Sequence, residues 1–300
     1  MSTLTASIKL GFSGHETFPF RYGWLQKAMI GAGEHPQFFS QPLALVALGV
    51  GKNMVQSIRY WGAATQVLEE TGRGEVEPSA LGKLLLNEWD EHLEEIGSLW
   101  LIHWWLVNNP TKAATWYYAF FGYPRRDFTK AELVMQLSDW AERHEAKNKL
   151  STIERDVDCF VRTYLPAKTA KSGVAEDSFD CPLVELGLIQ QYDDGERYGF
   201  VFGPKRSLPT SIFAFALLEF LEKNAGARQT VPLHDVLYAQ GSPGQAFKLN
   251  ENAVIEAIEA VQELTEQAIE MDDTAGLKQI YLRREVNKLD ILISFYGSQA

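Results

Sequence analysis

Residues 42–64 read PLALVALGVGKNMVQSIRYWGAA, and this stretch decides the fold of the N-terminal part of the chain. Pro42 suits a first helical turn, and the apolar run behind it ends at Gly49 and Gly51. From Asn53 onward, apolar residues return at spacings of three and four, which is typical of an amphipathic helix. A short extended piece follows at 75–78. Helix, glycine turn, helix and hairpin predict a winged helix-turn-helix.

The rest of the chain predicts a mainly helical α+β protein with small β-hairpins. Residues 89–165 are rich in aromatic side chains and predict stacked helices, two of them starting at capping boxes, Thr129 with Glu132 and Ser151 with Glu154. Residues 166–181 contain few large apolar side chains, which predicts an exposed connection. We expect three domains: a winged helix at 1–88, a helical middle at 89–165 and an α+β domain at 166–300. A hairpin signal at Asp194-Gly195 leaves a second winged-helix-like unit as one alternative for the last domain.

The composition is that of an ordinary globular protein. The chain has 300 residues, of which 46% are hydrophobic and 22% charged, so a disordered or collagen-like chain is excluded. The longest apolar stretches fall short of the roughly 20 residues that span a bilayer, and the N-terminus lacks the pattern of a secretory signal. We expect a cytoplasmic protein with no membrane partner. Its two cysteines, Cys159 and Cys181, are expected to be small buried residues.

Charge is divided unevenly along the chain. The formal net charge is -11, yet residues 1–68 carry five Lys and Arg against two Glu. Residues 250–276 carry eight acidic side chains and neither Lys nor Arg. Because salt screens surface charges beyond about 8 Å, a globally acidic protein can still bind DNA through one basic face.

The start of the second helix carries side chains suited to DNA. Lys and Arg neutralise phosphates, and Asn or Gln can pair with adenine in the major groove. The candidate DNA-binding residues are Arg21, Lys52, Asn53, Gln56, Ser57, Arg59 and Tyr60. The alternative is a protein-docking module with a solvated polar face.

His15 and Glu16 match the first two positions of the metalloprotease motif H-E-x-x-H, but Pro19 occupies the position of its second histidine. With Arg21 they lie among several aromatic residues. Two interpretations stay open: a structural network that anchors the N-terminal segment, or a site for a phosphate or a metal ion.

A nuclease needs carboxylates that converge on one or two Mg²⁺ ions. Two acidic clusters are candidates, one at Asp156 and Asp158 and one just before Cys181, and neither matches a known nuclease spacing. The candidate catalytic residues are His15, Glu16, Asp156 and Asp158. The candidate metal ligands are Glu176, Asp177 and Asp180, with Mg²⁺ as the expected cofactor.

Five segments together carry a family resemblance. They are GFSGHETFPFRYGWL (11–25), VALGVGKNMVQSIRYW (46–61), LWLIHWWL (99–106), TWYYAFF (115–121) and EDSFDCPLVELGLI (176–189). In that order they resemble the bacterial family known as domain of unknown function 4007, over nearly the whole chain. The first two segments are the specific ones.

The resemblance implies a component of a pathway that installs phosphorothioate in single-stranded DNA and is linked to phage defence. Its implied partners are DNA, a cysteine desulfurase, an ATPase and a PAPS-reductase-like ATP pyrophosphatase. Within that pathway, the resemblance implies the DNA-nicking component, whose cut exposes the backbone for sulfur insertion. It does not identify any catalytic residue in this chain. Combined with the acidic clusters, it gives the hypothesis of a Mg²⁺-dependent nickase. The alternatives are a DNA-recognition scaffold that recruits the sulfur-transfer enzymes, and a transcriptional regulator.

Overall fold

The computed structural model describes residues 9–166, 181–225, 230–274 and 276–298. The predicted mainly helical α+β class is confirmed, with short antiparallel sheets set among the helices. The chain divides into two compact units: residues 1–119 with 123–200, and residues 120–122 with 201–300. Residues 1–88 fall within the first unit, as do 89–165 apart from 120–122, and the three-domain division stays a prediction.

The first unit begins with three helices and a hairpin. Their bounds are α1 Trp24–Glu34, α2 Leu43–Leu48, α3 Lys52–Ala64, β1 Leu68–Gly72 and β2 Glu75–Pro78. Gly49, at φ 65°, ends α2 in the left-handed conformation that glycine adopts without strain. The two strands pair antiparallel from Leu68 opposite Pro78, with an irregularity between Glu70 and Gly72. This is the predicted order of elements, and its assignment as a winged helix stays a prediction.

The remainder of the first unit is helical with one small sheet. Its elements are α4 Ala80–Lys83, α5 Ile96–Val107, α6 Ala114–Tyr117, β3 Asp127–Thr129, α7 Lys130–Arg143, α8 Leu150–Tyr164, β4 Ile189–Gln191 and β5 Arg197–Phe200. Helices α4 and α6 continue as π-helical turns over Leu84–Trp89 and Tyr118–Gly122. The sheet has the order β3-β5-β4 and is antiparallel throughout.

One of the two predicted capping boxes is confirmed. The Thr129 hydroxyl accepts from the Glu132 N–H at 3.2 Å, and the Glu132 carboxylate accepts from the Thr129 N–H at 2.8 Å. The second prediction is wrong: α8 begins at Leu150 behind Lys149, so Ser151 lies inside the helix and makes no cap. The helix begins two residues earlier than the S-x-x-E spacing indicates.

The second unit repeats the helix-and-hairpin order. Its elements are α9 Thr210–Asn224, β6 Thr230–Pro232, α10 Leu233–Tyr238, α11 Pro243–Ala246, α12 Glu251–Leu264, β7 Ile269–Thr274, β8 Leu277–Leu282 and α13 Lys288–Gly297. The sheet has the order β6-β8-β7, again antiparallel. Strand β8 is therefore central, and β7 and β8 form the closing hairpin.

Two helices are apolar on almost every side, as expected for helices inside a core. Helix α5 buries every residue from Gly97 to Val107 in the first unit. Helix α9 buries nine of its fifteen residues in the second unit. Within the described ranges, no helix combines the length and the apolar character that crossing a bilayer requires. Cys159 and Cys181 are both buried, as predicted.

Candidate functional site

A strained loop lies at the centre of the candidate site. Four of the five residues 13–17 have positive φ: Ser13 at 64°, Gly14 at 98°, Glu16 at 48° and Thr17 at 67°. A residue other than glycine in this region costs about 1–3 kcal/mol and persists only where its surroundings hold it there. Strain of this kind is concentrated at functional sites, so this loop and the contacts that hold it are a candidate site.

The Asp156 carboxylate holds the loop from α8. It accepts from His15 Nε2 at 2.9 Å, from the Ser13 N–H at 2.9 Å and from the Thr115 hydroxyl at 3.1 Å. The His15 and Asp156 side chains are each only 2% exposed. A buried carboxylate is tolerated only when donors surround it, and this one has three. The structure thus brings together two of the four candidate catalytic residues, from positions 141 apart.

The His15 ring has one hydrogen-bonding arrangement. The Thr17 N–H donates to Nδ1 at 3.1 Å, so Nδ1 is an acceptor and the ring proton on Nε2 faces Asp156. Tyr60 and Trp116 meet the ring edge-on, with centroids 5.6 and 6.0 Å away. With both nitrogens engaged and the ring buried, His15 positions the loop. The structural-network interpretation therefore fits His15 and Asp156.

Helix α3 secures the loop from the other side. The Ser57 hydroxyl donates to the His15 carbonyl at 2.9 Å, and Trp61 Nε1 donates to the Phe18 carbonyl at 3.0 Å. Ser57 is buried, so this candidate DNA-binding residue faces the loop and not the solvent. Arg162 on α8 also donates to the Thr17 carbonyl. The loop is therefore fixed by contacts from two helices.

A polar cleft of about 300 Å³ opens beside this loop. Its walls come from the segment 9–16, from α3, from β1 and from the turn at 111–112. The charged side chains in its lining are Lys9, Glu16, Arg59, Glu70 and Lys112. Gly11 lets the segment lie against the turn, since a Cβ there would come within 2.0 Å of the Thr111 carbonyl oxygen.

The cleft contains a three-membered ion cluster. The Glu70 carboxylate lies 2.6 Å from Lys112 Nζ and 3.5 Å from an Arg59 terminal nitrogen. The Arg59 Nε is buried and has no hydrogen-bond partner within the described part of the chain. Buried donors are normally satisfied, so this nitrogen is an exception among the described residues.

The other candidate DNA-binding residues differ in exposure. Lys52 and Asn53 are exposed at the start of α3. Gln56 donates to the Phe39 carbonyl at 3.1 Å, and the Tyr60 hydroxyl donates to the Lys112 carbonyl at 3.2 Å. Burial raises the pKa of Tyr60 well above its usual value. The Arg21 guanidinium lies over the Phe18 and Trp24 rings, at 5.6 and 5.4 Å.

The remaining acidic candidates are not gathered with His15 and Asp156. Glu16 is exposed and lines the cleft, whereas Asp158 is exposed on α8 and pairs with Lys130 at 2.6 Å. Glu176, Asp177 and Asp180 lie outside the described residues. Among the residues that are described, no group of three or more His, Cys, Asp or Glu is placed to hold a metal ion.

Three cleft residues, Lys9, Glu70 and Lys112, carry no motif signal in the sequence. They come from three separate elements, and each would pass as an ordinary surface charge. The early indications are the basic excess of residues 1–68, to which Lys9 contributes, and that of residues 110–174, to which Lys112 contributes.

The chain belongs to the family described as protein of unknown function DUF4007, whose model matches residues 12–296. This confirms the resemblance found in the sequence. Among solved structures it is similar to a crystal structure of SspB, at 31% identity and a TM-score of 0.84. It is also similar to a magnesium ion-bound crystal structure of SspB, at 32% identity and a TM-score of 0.85. Each match covers 96% of this chain and 88% of the other. No curated protein matches the chain.

Proposed function

We propose that this protein is the DNA-binding and DNA-nicking component of a bacterial DNA phosphorothioate modification module linked to phage defence. The observation that carries the proposal is the likeness to SspB over 96% of the chain, in one case with magnesium ion bound. The partners are DNA, a cysteine desulfurase, an ATPase and a PAPS-reductase-like ATP pyrophosphatase. The nick exposes the backbone for sulfur insertion.

The N-terminal helices are the proposed DNA-binding face. Lys52 and Asn53 are exposed at the start of α3, and Arg59 lies two turns further along the same helix. Cationic side chains at such positions contact phosphates, and an exposed Asn can pair with a base edge. The basic balance of residues 1–68 supports the same face.

The cleft is the proposed place of strand cleavage. In the reaction a water molecule adds to phosphorus and one P–O bond breaks, which leaves a phosphate on one end and a hydroxyl on the other. Glu16 is the exposed candidate carboxylate at the cleft, and it would take the proton from that water. The buried His15–Asp156 pair holds the backbone from which Glu16 projects.

Mg²⁺ dependence is part of the proposal. This ion takes oxygen ligands, and it often uses only one or two carboxylates together with waters. The described residues offer no three-membered ligand group, so Glu176, Asp177 and Asp180 remain its proposed ligands. When bound, Mg²⁺ would neutralise charge on the phosphate.

The test is incubation of purified protein with supercoiled plasmid in Mg²⁺, in Mn²⁺ and in EDTA, followed by gel separation of open circles. We expect nicking with the metal ions and none in EDTA. Glu16→Gln and the triple variant Glu176→Gln, Asp177→Asn, Asp180→Asn should lose it. Glu154→Gln, an exposed carboxylate on α8, is the matched control and should nick normally. Nicking that persists in EDTA, or in both test variants, would contradict the proposal.

A second candidate is a recruiting module that binds DNA and leaves cutting to a partner. It is favoured by the separation of Glu16, Asp156 and Asp158, which do not form one metal-binding group among the described residues. Such a module would shift plasmid mobility equally in EDTA, weaken with salt and leave the plasmid supercoiled.

A further inference from the structure

The cleft beside the strained loop is built to take an anion. Lys9, Arg59 and Lys112 line it together with the carboxylates Glu16 and Glu70, so the cations outnumber the carboxylates by one. Its volume of about 300 Å³ lies at the lower end of the range for small-ligand pockets. It therefore suits one small unit such as a single nucleotide.

Glu70 occupies the place in which an external anion would be held. Its carboxylate contacts Lys112 at 2.6 Å and Arg59 at 3.5 Å, and its side chain is 41% exposed. An ion pair this open to water contributes little to stability, about 0–1 kcal/mol, so it can be exchanged. Glu70 also lies where the pairing of β1 with β2 becomes irregular, at the edge of the hairpin.

Arg59 has donor capacity that Glu70 does not use. Its Nε is buried without a partner in the described ranges, and only a terminal nitrogen reaches Glu70. A phosphate has more acceptor oxygens than a carboxylate and can accept two parallel bonds from a guanidinium. The Lys112 backbone is fixed because its carbonyl accepts from Tyr60, so the two cations are held on one side of the cleft.

Aromatic rings complete the lining. Phe12 and Tyr60 both face the cleft. The Tyr60 ring is held in place by the close approach of Gly14, where an added Cβ would lie 2.7 Å from the ring. Phe12 is half-buried, so part of its ring is available to a ligand. Base-on-ring stacking is how proteins bind unpaired nucleotides without reading their sequence.

We propose that this cleft binds one unpaired nucleotide of a DNA strand, whose phosphate displaces Glu70 from Arg59 and Lys112 and whose base lies against Phe12. Glu70 is thus an internal competitor that keeps the cleft closed to weakly held anions. The inference rests on the DNA-binding part of the proposed function, and it does not require that the protein cuts.

The test is fluorescence anisotropy with a short labelled single-stranded oligodeoxynucleotide, at several salt concentrations. Lys112→Ala and Arg59→Ala should each weaken binding about ten- to hundredfold, and each should reduce the slope of log Kd against log salt by about 0.7. Phe12→Ala should weaken binding about five- to hundredfold. Glu70→Gln should tighten binding several-fold, because it removes the competing carboxylate and keeps its shape. Lys147→Ala, which removes an exposed cation outside the cleft, is the control and should change affinity less than twofold.

Two probes identify the chemistry of the ligand. Deoxyadenosine monophosphate should displace the labelled strand at lower concentration than inorganic phosphate does, because it also brings a base to Phe12. Equal competition by the two would overturn the base contact. Unchanged or weaker binding by Glu70→Gln, in a protein that melts like the wild type, would overturn the competition with Glu70.

The plasmid assay separates this inference from the proposed function. Normal nicking together with unchanged strand binding in Lys112→Ala, which lies outside the proposed DNA-binding face, would overturn the inference and leave the nickase intact. Absent nicking together with the expected opposite effects of Lys112→Ala and Glu70→Gln would support the inference and overturn the nickase.

Discussion

The helices of residues 24–78 and those of residues 210–282 both lead into an antiparallel hairpin, but the helix just before that hairpin has opposite charge in the two regions. In each, helices lead into an antiparallel hairpin, β1–β2 in the first region and β7–β8 in the second. The last helix before the hairpin, α3, carries Lys52 and Arg59 and no acidic residue, whereas its counterpart α12 carries four glutamates and no cation. The order of elements therefore does not fix the charge of this helix. That charge supports the proposed DNA-binding face in the first region alone, because phosphate contacts dominate affinity for DNA.

The two regions also differ in how their sheets are completed. In the second region a third strand, β6, pairs with β8. In the first region, the strand that corresponds to β8 is β2. On its outer edge the structure has a backbone hydrogen bond from the Val76 N–H to the Pro36 carbonyl, at 3.0 Å. The first hairpin is thus less supported by pairing, and β1 carries the Glu70 that reaches the cleft.

The largest effect should come from the buried carboxylate of the first unit. Asp156→Ala leaves the donors of His15, Ser13 and Thr115 without their acceptor, so we expect a loss of about 3–5 kcal/mol in the free energy of unfolding. Urea unfolding measures it. Asp158→Ala, two residues away and exposed, should cost about 1 kcal/mol or less. Equal losses for the two variants would mean that the network does not hold the loop.

The second unit has a buried lysine, Lys248, where the first has the buried carboxylate of Asp156. We expect this lysine to make the free energy of unfolding depend on pH. Burial lowers the pKa of Lys248 from 10.5 to about 7, although its Nζ donates to the Phe120 carbonyl at 2.7 Å. The unfolded state therefore binds more protons between about pH 7 and 10.5, and stability should rise with pH across that window, by at most about 1.4 kcal/mol per pH unit. Below pH 7 Lys248 is protonated in both the folded and the unfolded state, so the destabilisation from burying its charge is complete and no longer changes with pH.

The measurement is urea unfolding of the wild type and of Lys248→Met at pH 7 and at pH 9. We expect the stability of the wild type relative to Lys248→Met to rise between the two values. Both proteins retain Lys205, whose pKa burial also lowers, to about 8, so the difference isolates Lys248. The same difference at pH 7 and pH 9 would show that Lys248 keeps its ordinary pKa.

The opposite charges of α3 and α12 predict that substitutions in α3, and not those in α12, weaken DNA binding. Lys52→Ala with Arg59→Ala should weaken duplex binding about tenfold and lower the salt slope by about 1.8, with no loss of folding. The charge change matched on α12, Glu256→Ala with Glu259→Ala, should leave both quantities nearly unchanged. Mobility-shift titrations at two salt concentrations decide the matter, and an effect of equal size from α12 would refute the assignment of the basic face.

The smallest effect should come from a helix cap. Thr129→Ala removes the acceptor of the confirmed capping box and should cost about 1 kcal/mol. Ser151→Ala, at the position where the predicted box does not form, should change stability by less than about 0.5 kcal/mol. Thermal or urea unfolding of both variants measures the difference between a capping box that forms and a sequence spacing that does not produce a cap.

The elements of this protein could be predicted from its sequence wherever the signal is local. The helices after Pro42 and Gly51, the extended piece at 75–78 and the cap at Thr129 depend on neighbours within a few residues. The failed cap at Ser151 shows the limit, since a four-residue spacing alone does not fix where a helix begins. The carboxylate and cation pairs of the site have no such local signal.

The sequence by itself determined the α+β class, the family and the basic N-terminal balance, and it offered His15 and Asp156 as two of four candidate catalytic residues. Only the tertiary structure decided that these two meet and are buried, and that Arg59, Glu70 and Lys112 share one cleft. The physical reason is the distance along the chain over which each kind of interaction acts. Periodicity, capping and turn chemistry act over a few residues, whereas a hydrogen bond across 141 positions exists only once the helices have packed.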